Sequence, residues 1–266
     1  MALAIALAVT AITLLFCGLL VWRHEWLPRP ISTIAPAIDH QFAVSFIICG
    51  ILFVLAQLAL AYLVWRYRAR RKRAQVNPSR GNRALEGAWT LMAAAIFIGL
   101  AATGYQTWAR AHYTGAVPGA LRIEVWGEQF QWYFRYPGPD GQFGPVHFSL
   151  MNDSTGNYLG LDPQLDPASR DDIITPTLGV PVNRPVELIL RAKDVIHSFF
   201  VPELRLKQDL VPGMEIPIYF TATRTGRYEI VCAQLCGMGH YKMRAELLVM
   251  TGPDFTAWLN KMAAEQ

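Results

Sequence analysis

The chain has 266 residues, of which 53% are hydrophobic, and its mean hydropathy is positive at +0.23. Such an apolar composition excludes an ordinary soluble domain and indicates a membrane protein with a soluble part. The overall charge of +4 comes from the first part of the chain, because residues 110–266 hold 14 basic and 17 acidic residues, a net charge of −3. Nucleic-acid-binding domains usually carry a positive charge, so this mildly acidic part does not resemble one.

Three uncharged runs are each long enough for a membrane helix, which needs roughly 20 apolar residues. They cover residues 1–22, 41–65 and 87–109. We interpret the second and third as a transmembrane helical hairpin and the first as an additional N-terminal membrane helix. The alternative for residues 1–22 is a cleaved signal peptide. That run has no basic segment before it and no clear cleavage site of small residues.

The loop between the second and third runs sets the predicted orientation. Residues 66–83 contain eight basic residues, and residues 66–85 contain no acidic one. Because basic loops stay in the cytoplasm, this loop is predicted to be cytoplasmic and the chain after about residue 110 to lie outside it. The expected location is a bacterial-type inner membrane, crossed several times, with the soluble domain on the periplasmic side.

The soluble part begins near Leu121 with short runs rich in Val, Ile, Tyr and Phe, separated by Gly and Pro. Examples are LRIEVWGEQFQWYFRY, VHFSL, RPVELILRA and GRYEIVC. This texture predicts an antiparallel, all-β sandwich over residues 120–252. Residues 152–172 are polar and rich in turn residues, which indicates a long surface loop. Residues 253–266 are predicted to form a C-terminal helix and tail.

The stretch VCAQLCGMGHYKM, at residues 231–243, carries the strongest chemical signal. Cys232 and Cys236 could form a disulfide outside the cytoplasm, although so short a loop would add little stability. Zinc could use both cysteines with His240 and His197, but it would leave Met243 without a role. Two imidazoles, a thiolate and a long thioether are instead typical of copper electron-transfer sites.

A mononuclear copper site of this kind uses one cysteine, so the second cysteine needs another explanation. Two thiolates can bridge two copper ions, each of which then keeps one histidine, and one of which gains Met243. Sharing one unpaired electron between two ions keeps the geometry nearly constant on reduction, which favours electron transfer over substrate chemistry. The other two cysteines, Cys17 and Cys49, lie in apolar runs and are interpreted as packing residues.

The pair of motifs DVIHSFFVPELRLKQDLVPG and CAQLCGMGHYKM resembles subunit II of the haem–copper oxidases, of the cytochrome c oxidase type. The resemblance covers roughly residues 40–252. It implies a cupredoxin-like sandwich with a binuclear CuA centre of two copper ions. The implied ligands are the side chains of His197, Cys232, Cys236, His240 and Met243, together with the backbone carbonyl of Gln234.

The resemblance also implies a function. The copper centre would take electrons from a cytochrome c-type donor and pass them to haem in subunit I, where oxygen reduction is coupled to proton translocation. The expected partners are that haem-containing subunit, other oxidase subunits, the donor and the lipid membrane. The chain has no CxxCH haem-attachment motif, so the oxygen chemistry is assigned to the partner subunit.

Two other functions are compatible with these motifs or with copper binding. A nitric oxide reductase subunit can carry the same copper centre, because the partner chain sets the electron acceptor. A membrane-anchored copper-delivery protein would instead hold copper at an exposed, exchangeable site. For donor docking, Asp209 is the first acidic residue to test, through the salt dependence of donor oxidation.

Glu86 stands three residues before Trp89, where the family places a glutamate at the cytoplasmic mouth of a proton path. A carboxylate at the start of a membrane helix is favoured by the helix dipole and can take protons from water. A plain helix-start glutamate is the competing interpretation.

Three positions depart from the family pattern. Phe130 replaces the first tryptophan of the aromatic strand motif, so that electrons could enter through Phe130, Trp132 or Trp126, each of which could equally be a packing residue. Gln234 replaces a more usual glutamate, so a magnesium ion held there is expected to bind weakly or not at all. Ala93 replaces a frequent helix proline, which predicts a straighter helix.

Overall fold

The computed structural model describes residues 1–23, 26–68, 81–113 and 115–265. They fall into two compact units, each described by itself. The helical unit contains residues 1–28 and 37–107, and the sandwich unit contains residues 29–36 and 108–266. Residues 69–80, which hold much of the basic loop predicted to be cytoplasmic, lie outside the described residues.

Three long helices account for the predicted apolar runs: α1 (Ala2–Trp22), α2 (Ala35–Arg66) and α3 (Arg83–His112). Each is long and apolar enough to cross a membrane. Helix α2 begins six residues before the predicted run of 41–65. A hydrogen bond of 3.1 Å from the Gln41 side chain to the Leu100 carbonyl joins α2 to α3.

The described residues of the sandwich unit form ten strands and a final helix. The strands are β1 (Leu121–Glu128), β2 (Gln131–Tyr136), β3 (Ile173–Thr175), β4 (Thr177–Pro181), β5 (Pro185–Ala192), β6 (His197–Val201), β7 (Leu206–Leu210), β8 (Ile216–Thr221), β9 (Gly226–Cys232) and β10 (Arg244–Met250). Helix α4 (Gly252–Ala264) follows β10, with the Thr251 hydroxyl accepting a hydrogen bond from the Asp254 amide as its N-cap.

The strands form two five-stranded sheets, in the orders β3-β2-β1-β5-β8 and β4-β10-β9-β6-β7. Membrane helices followed by an all-β sandwich were predicted, and this fold class is confirmed. The prediction of a purely antiparallel sandwich is wrong, because β1 pairs with β5 and β10 with β4 in parallel. Parallel neighbours require long crossover connections, which the local turn pattern does not reveal.

The core lies between the two sheets and is built from alternate residues of each strand, such as Ile123, Val125, Phe134, Phe199 and Leu247. Most residues of β1 and β2 that point away from this core are also buried, the exceptions being Arg122 and Gln131. Among them, Trp126 and Tyr133 pack with Leu159 in a second, smaller cluster. The polar segment predicted as a surface loop therefore covers the outer face of β1 and β2.

The run VHFSL was predicted as a strand, and this is wrong. Residues Phe148–Leu150 form a single 3₁₀ turn, and Phe148 lies on the surface with its ring centroid 6.3 Å from that of Trp126. Helix α4 agrees with the prediction for the end of the chain. It packs Phe255 and Trp258 against Tyr136, with ring centroids 6.4 and 5.7 Å away.

Candidate metal centre

The candidate metal centre lies where β6, β9 and β10 meet at one end of the second sheet. His197 is the first residue of β6 and Cys232 is the last residue of β9. The two strands are paired antiparallel, with Phe199 opposite Cys232, which brings the two side chains to the same end. Met243 immediately precedes β10, and its carbonyl accepts a 3.1 Å hydrogen bond from the Cys232 amide.

The segment 233–243, called here the ligand loop, connects β9 to β10 above this end of the sheet. Its base is fixed by a hydrogen bond of 2.9 Å from the Ala233 amide to the Ser198 carbonyl. A 3₁₀ turn at His240–Lys242 then returns the chain to the sheet. Because the loop is anchored on β6 at one end and β10 at the other, its side chains have a defined place over His197.

Five side chains with nitrogen or sulfur donor atoms converge here. The Sγ atoms of Cys232 and Cys236 are 4.0 Å apart. The Nδ1 atom of His197 lies 4.0 Å from Cys232 Sγ, and that of His240 lies 3.7 Å from Cys236 Sγ. The Sδ atom of Met243 lies 3.8 Å from Cys236 Sγ. Each sulfur of the pair therefore has its own imidazole, and Cys236 has the thioether in addition.

One carbonyl oxygen joins this set. The backbone oxygen of Gln234 lies 3.2 Å from Cys232 Sγ, so it faces the sulfur pair, while the Gln234 side chain is exposed. The six sequence-predicted ligand positions are thus brought together in one place. His197, Cys232 and Cys236 have donor atoms within 4.8 Å of one another, the spacing of a metal-binding group.

Asp194 fixes the orientation of the His197 ring. Its Oδ1 atom lies 2.8 Å from His197 Nε2. Its Oδ2 atom accepts a 2.8 Å hydrogen bond from the backbone amide of Gln129. When Nε2 carries the proton that is donated to Asp194, Nδ1 keeps its lone pair and faces the sulfurs. A carboxylate that holds the far side of a ligating histidine in this way is a common feature of metal sites.

The two thiols have different acidities. Burial alone would raise the pKa of Cys232, but hydrogen bonds with His197 and with the backbone at Ser198 and Gln234 lower this pKa to about 6. Burial and the neighbouring Cys232 thiolate raise the pKa of Cys236 to about 11. Cys232 is therefore the more acidic of the two thiols, and Cys236 releases its proton when a cation replaces it.

Three uses of the cysteines were predicted, and the chemistry of the donor set favours one of them. Both thiols are free, at a distance of 4.0 Å that is about twice a sulfur–sulfur bond, so the predicted alternative of a disulfide is absent. The thioether of Met243 is fully buried and directed at Cys236. A zinc site would need four ligands and would leave this thioether without a function. Two thiolates, two imidazoles and a thioether fit copper.

Gly127 allows His197 to occupy its position. A Cβ atom at Gly127 would lie 3.0 Å from Cδ2 and 3.2 Å from Cγ of the His197 ring. The strand β1 therefore comes close to the imidazole through a residue without a side chain. Gln129, two residues further on, donates a hydrogen bond from its side-chain amide to the Cys236 carbonyl. The turn between β1 and β2 thus supports both His197 and the ligand loop.

The three aromatic candidates for accepting electrons differ in their exposure. Trp126 and Trp132 are 1% and 2% exposed, so neither can touch a docked protein. The Trp132 ring centroid lies 6.2 Å from that of His197, which places it inside the domain beside the site. Phe130 is half-buried and packs against Gly237 and Gly239 of the ligand loop. Of the three, Phe130 alone reaches the surface, and it does so beside the ligand loop.

Other sequence-predicted residues lie outside the centre. Glu86 is exposed in the first turn of α3, where the Asn82 side chain accepts hydrogen bonds from the amides of Ala84 and Leu85 as the N-cap. His147 pairs with Asp166 at 2.8 Å, and His112 stacks on Trp108 with ring centroids 4.6 Å apart. These contacts are those of surface or packing histidines, and neither residue belongs to the centre.

Sequence reasoning missed the supporting residues. Asp194 stands three residues before His197, and this spacing is a usable signal for a carboxylate–histidine pair. Gly127 and Gln129 could not be connected to the centre from the sequence, because they belong to a strand that is adjacent only after the sandwich has formed.

Known protein families and proteins match this chain in sequence. The family model "Cytochrome C oxidase subunit II, periplasmic domain" matches residues 121–249. The alternative cytochrome c oxidase subunit 2 of Bradyrhizobium diazoefficiens is 37% identical over 241 residues, which cover 89% of this chain and 84% of that protein. Cytochrome c oxidase subunit 2 of Thermostichus vulcanus is 30% identical over 288 residues, with 89% and 78% covered.

One solved structure among the matches is the periplasmic domain of subunit II of the cytochrome oxidase of Bradyrhizobium japonicum. It is 27% identical in sequence, with a TM-score of 0.41. The match covers 56% of this chain and 98% of the chain in that structure.

Proposed function

Because this chain belongs to the family of cytochrome c oxidase subunit II, we propose that it is the subunit at which electrons enter a respiratory terminal oxidase. The observation that carries the proposal is the convergence of two free thiols, two imidazoles and a buried thioether in the sandwich unit. A site for oxygen chemistry would need an open coordination position, whereas four of these five side chains are buried.

The residues fit a CuA centre of two copper ions. His197, Cys232, Cys236, His240 and Met243 would hold the ions with their side chains, and Gln234 with its backbone carbonyl. When bound, the ions supply a one-electron acceptor whose charge is shared across two thiolates. The protein contributes rigidity, since Asp194 and Gly127 fix His197 and the ligand loop is anchored at both ends.

The exposure of the aromatic residues supports one route for the electron into the centre. Phe130 is half-buried against the ligand loop, so it is the aromatic residue that a docked donor protein could approach. Trp132 is buried next to His197 and would act, if at all, inside the domain. Asp209, on β7 opposite Ser198, remains the first acidic residue to test for docking of a cytochrome c-type donor.

The proposed setting is a multi-pass protein of a bacterial-type inner membrane, with the sandwich unit on the periplasmic side. The basic loop predicted to be cytoplasmic supports this orientation. Other oxidase subunits, including a haem-containing subunit I, would receive the electron and reduce oxygen while protons are translocated. Glu86, exposed at the start of α3, is proposed as the entrance of a proton path into that subunit.

Rapid mixing of the purified oxidase with reduced cytochrome c tests this function. The copper absorbance is expected to bleach before the haem of the partner subunit is reduced, and oxygen is then consumed. Haem reduction that precedes any change in copper would contradict the assignment. Consumption of nitric oxide in place of oxygen would favour the reductase alternative, and copper that a mild chelator removes at once would favour a delivery protein.

A further inference from the structure

The five metal-binding side chains are not equally accessible. His197 and Met243 are 0% exposed, and Cys236 and Cys232 are 6% and 7% exposed. His240 alone is half-buried, so it forms the solvent side of the cluster. A copper ion that enters the folded domain must therefore approach from the His240 side, through the ligand loop.

Met238 lies at the tip of this loop, two residues from His240 and two from Cys236. The turn is closed by a 3.1 Å hydrogen bond from the His240 amide to the Gly237 carbonyl. Gly237 and Gly239 press against the Phe130 ring, where added Cβ atoms would lie 3.1 and 2.4 Å from ring carbons. The loop backbone on both sides of Met238 thus lies against the Phe130 ring, while the Met238 side chain itself is exposed.

The Met238 side chain is 95% exposed, so it contributes almost nothing to the packing of the domain. Leu235 and Tyr241 are also exposed on the loop, but neither has a soft donor atom. Thioether sulfur is a soft, neutral ligand that selects copper(I). Because it is neutral, it can give up the ion readily to a thiolate nearby.

We propose that Met238 is a transient copper(I) ligand at the entrance of the metal centre, a role that rests on the proposed copper function. The Sδ lone pair displaces one ligand of the incoming copper(I). His240 then displaces the remaining ligand that the ion brought with it, the Cys236 sulfur displaces the Met238 thioether, and the Cys236 thiol proton passes to water. Copper stays in the +1 state throughout these ligand exchanges, so no oxidant or reductant is needed.

The test uses the full chain in detergent, stripped of copper and reduced, with copper(I) supplied anaerobically as its bicinchoninate complex. The rate of uptake is the rate at which the coloured complex disappears. Met238→Leu keeps the apolar volume but removes the sulfur. We expect about tenfold slower uptake, which corresponds to about 1.4 kcal/mol of activation free energy, with an unchanged final copper content.

Leu235→Ala is the matched control, since it removes an exposed apolar side chain of the same loop without removing a donor atom, and it should load at the wild-type rate. Equal uptake by Met238→Leu and the wild type would overturn the proposal. A lower final copper content in Met238→Leu would also overturn it, because Met238 would then be a resident ligand. If the wild-type chain itself binds no copper, the proposed function fails instead.

A separate measurement tests whether Met238 instead contacts the electron donor. After full loading, Met238→Leu is expected to accept electrons from reduced cytochrome c at the wild-type rate. If this variant loads normally but accepts electrons slowly, Met238 belongs to the donor contact and the copper-entrance role is wrong.

Discussion

Asp194 holds His197 from the side opposite to the sulfur atoms, with Oδ1 2.8 Å from Nε2, while Nδ1 faces Cys232 Sγ at 4.0 Å. The other oxygen of the same carboxylate accepts a hydrogen bond from the Gln129 amide at 2.8 Å. One side chain therefore ties a metal-binding histidine to the turn between β1 and β2.

Asp194→Asn should weaken copper binding without unfolding the domain. An amide can accept only on its oxygen, so the variant cannot satisfy both His197 and the Gln129 amide. We expect copper affinity to fall by about 10- to 100-fold, measured by competition with a chelator. Asp140→Asn, in an exposed turn, is the control and should bind copper as the wild type does. Equal affinities in all three proteins would remove the positioning role of Asp194.

Gly127→Ala should displace the His197 ring. The new Cβ atom would lie 3.0 Å from the ring and 3.3 Å from Leu210, which is tighter than most Cβ contacts, so a neighbour must shift by a few tenths of an ångström. Overpacking of this kind costs roughly 1–3 kcal/mol, and part of the cost is relieved by rotating the imidazole. The visible spectrum of the copper-loaded chain should therefore shift. Gly252→Ala, where the added atom meets open space, should leave the spectrum unchanged.

Met243→Leu is expected to keep the copper content and to raise the reduction potential. Leucine fills a similar volume, so packing is preserved, but the oxidised centre loses a weak donor. The electron is then held more tightly, and its transfer to the partner haem slows. Met250→Leu, on a half-buried residue of β10, is the control. A potential equal to that of the wild type would exclude Met243 as a ligand.

Glu86→Gln should slow oxygen consumption in the assembled oxidase while copper content and the rate of copper reduction stay unchanged. Glutamine keeps the size of the side chain and its place at the start of α3 but cannot carry a proton. Glu265→Gln, at the exposed end of the chain, controls for loss of an acidic charge. Full turnover of the Glu86 variant would show that this residue only starts the helix.

The sequence predicted the donor set because most of it is local. Cys232, Cys236, His240 and Met243 lie within twelve residues of one another, and His197 is recognisable from its own motif. The three apolar helices were predicted equally directly, since length and composition are sufficient for a membrane helix.

Contacts between distant segments could not be predicted. The close approach of Gly127 to His197 depends on the stacking of two sheets, and the parallel pairs β1–β5 and β4–β10 depend on crossovers that leave no local pattern. The aromatic motif gave three candidates for accepting electrons, and only burial separates Phe130 from Trp126 and Trp132.

The copper content and electron-spin spectrum of the purified full chain test the central claim most directly. Two thiolates between two imidazoles predict two copper ions per chain, with the hyperfine pattern of one electron shared equally by both nuclei. Cys232→Ser should abolish that pattern. One copper ion per chain with the pattern of a single nucleus, or a bond between Cys232 and Cys236 in the active oxidase, would contradict the claim.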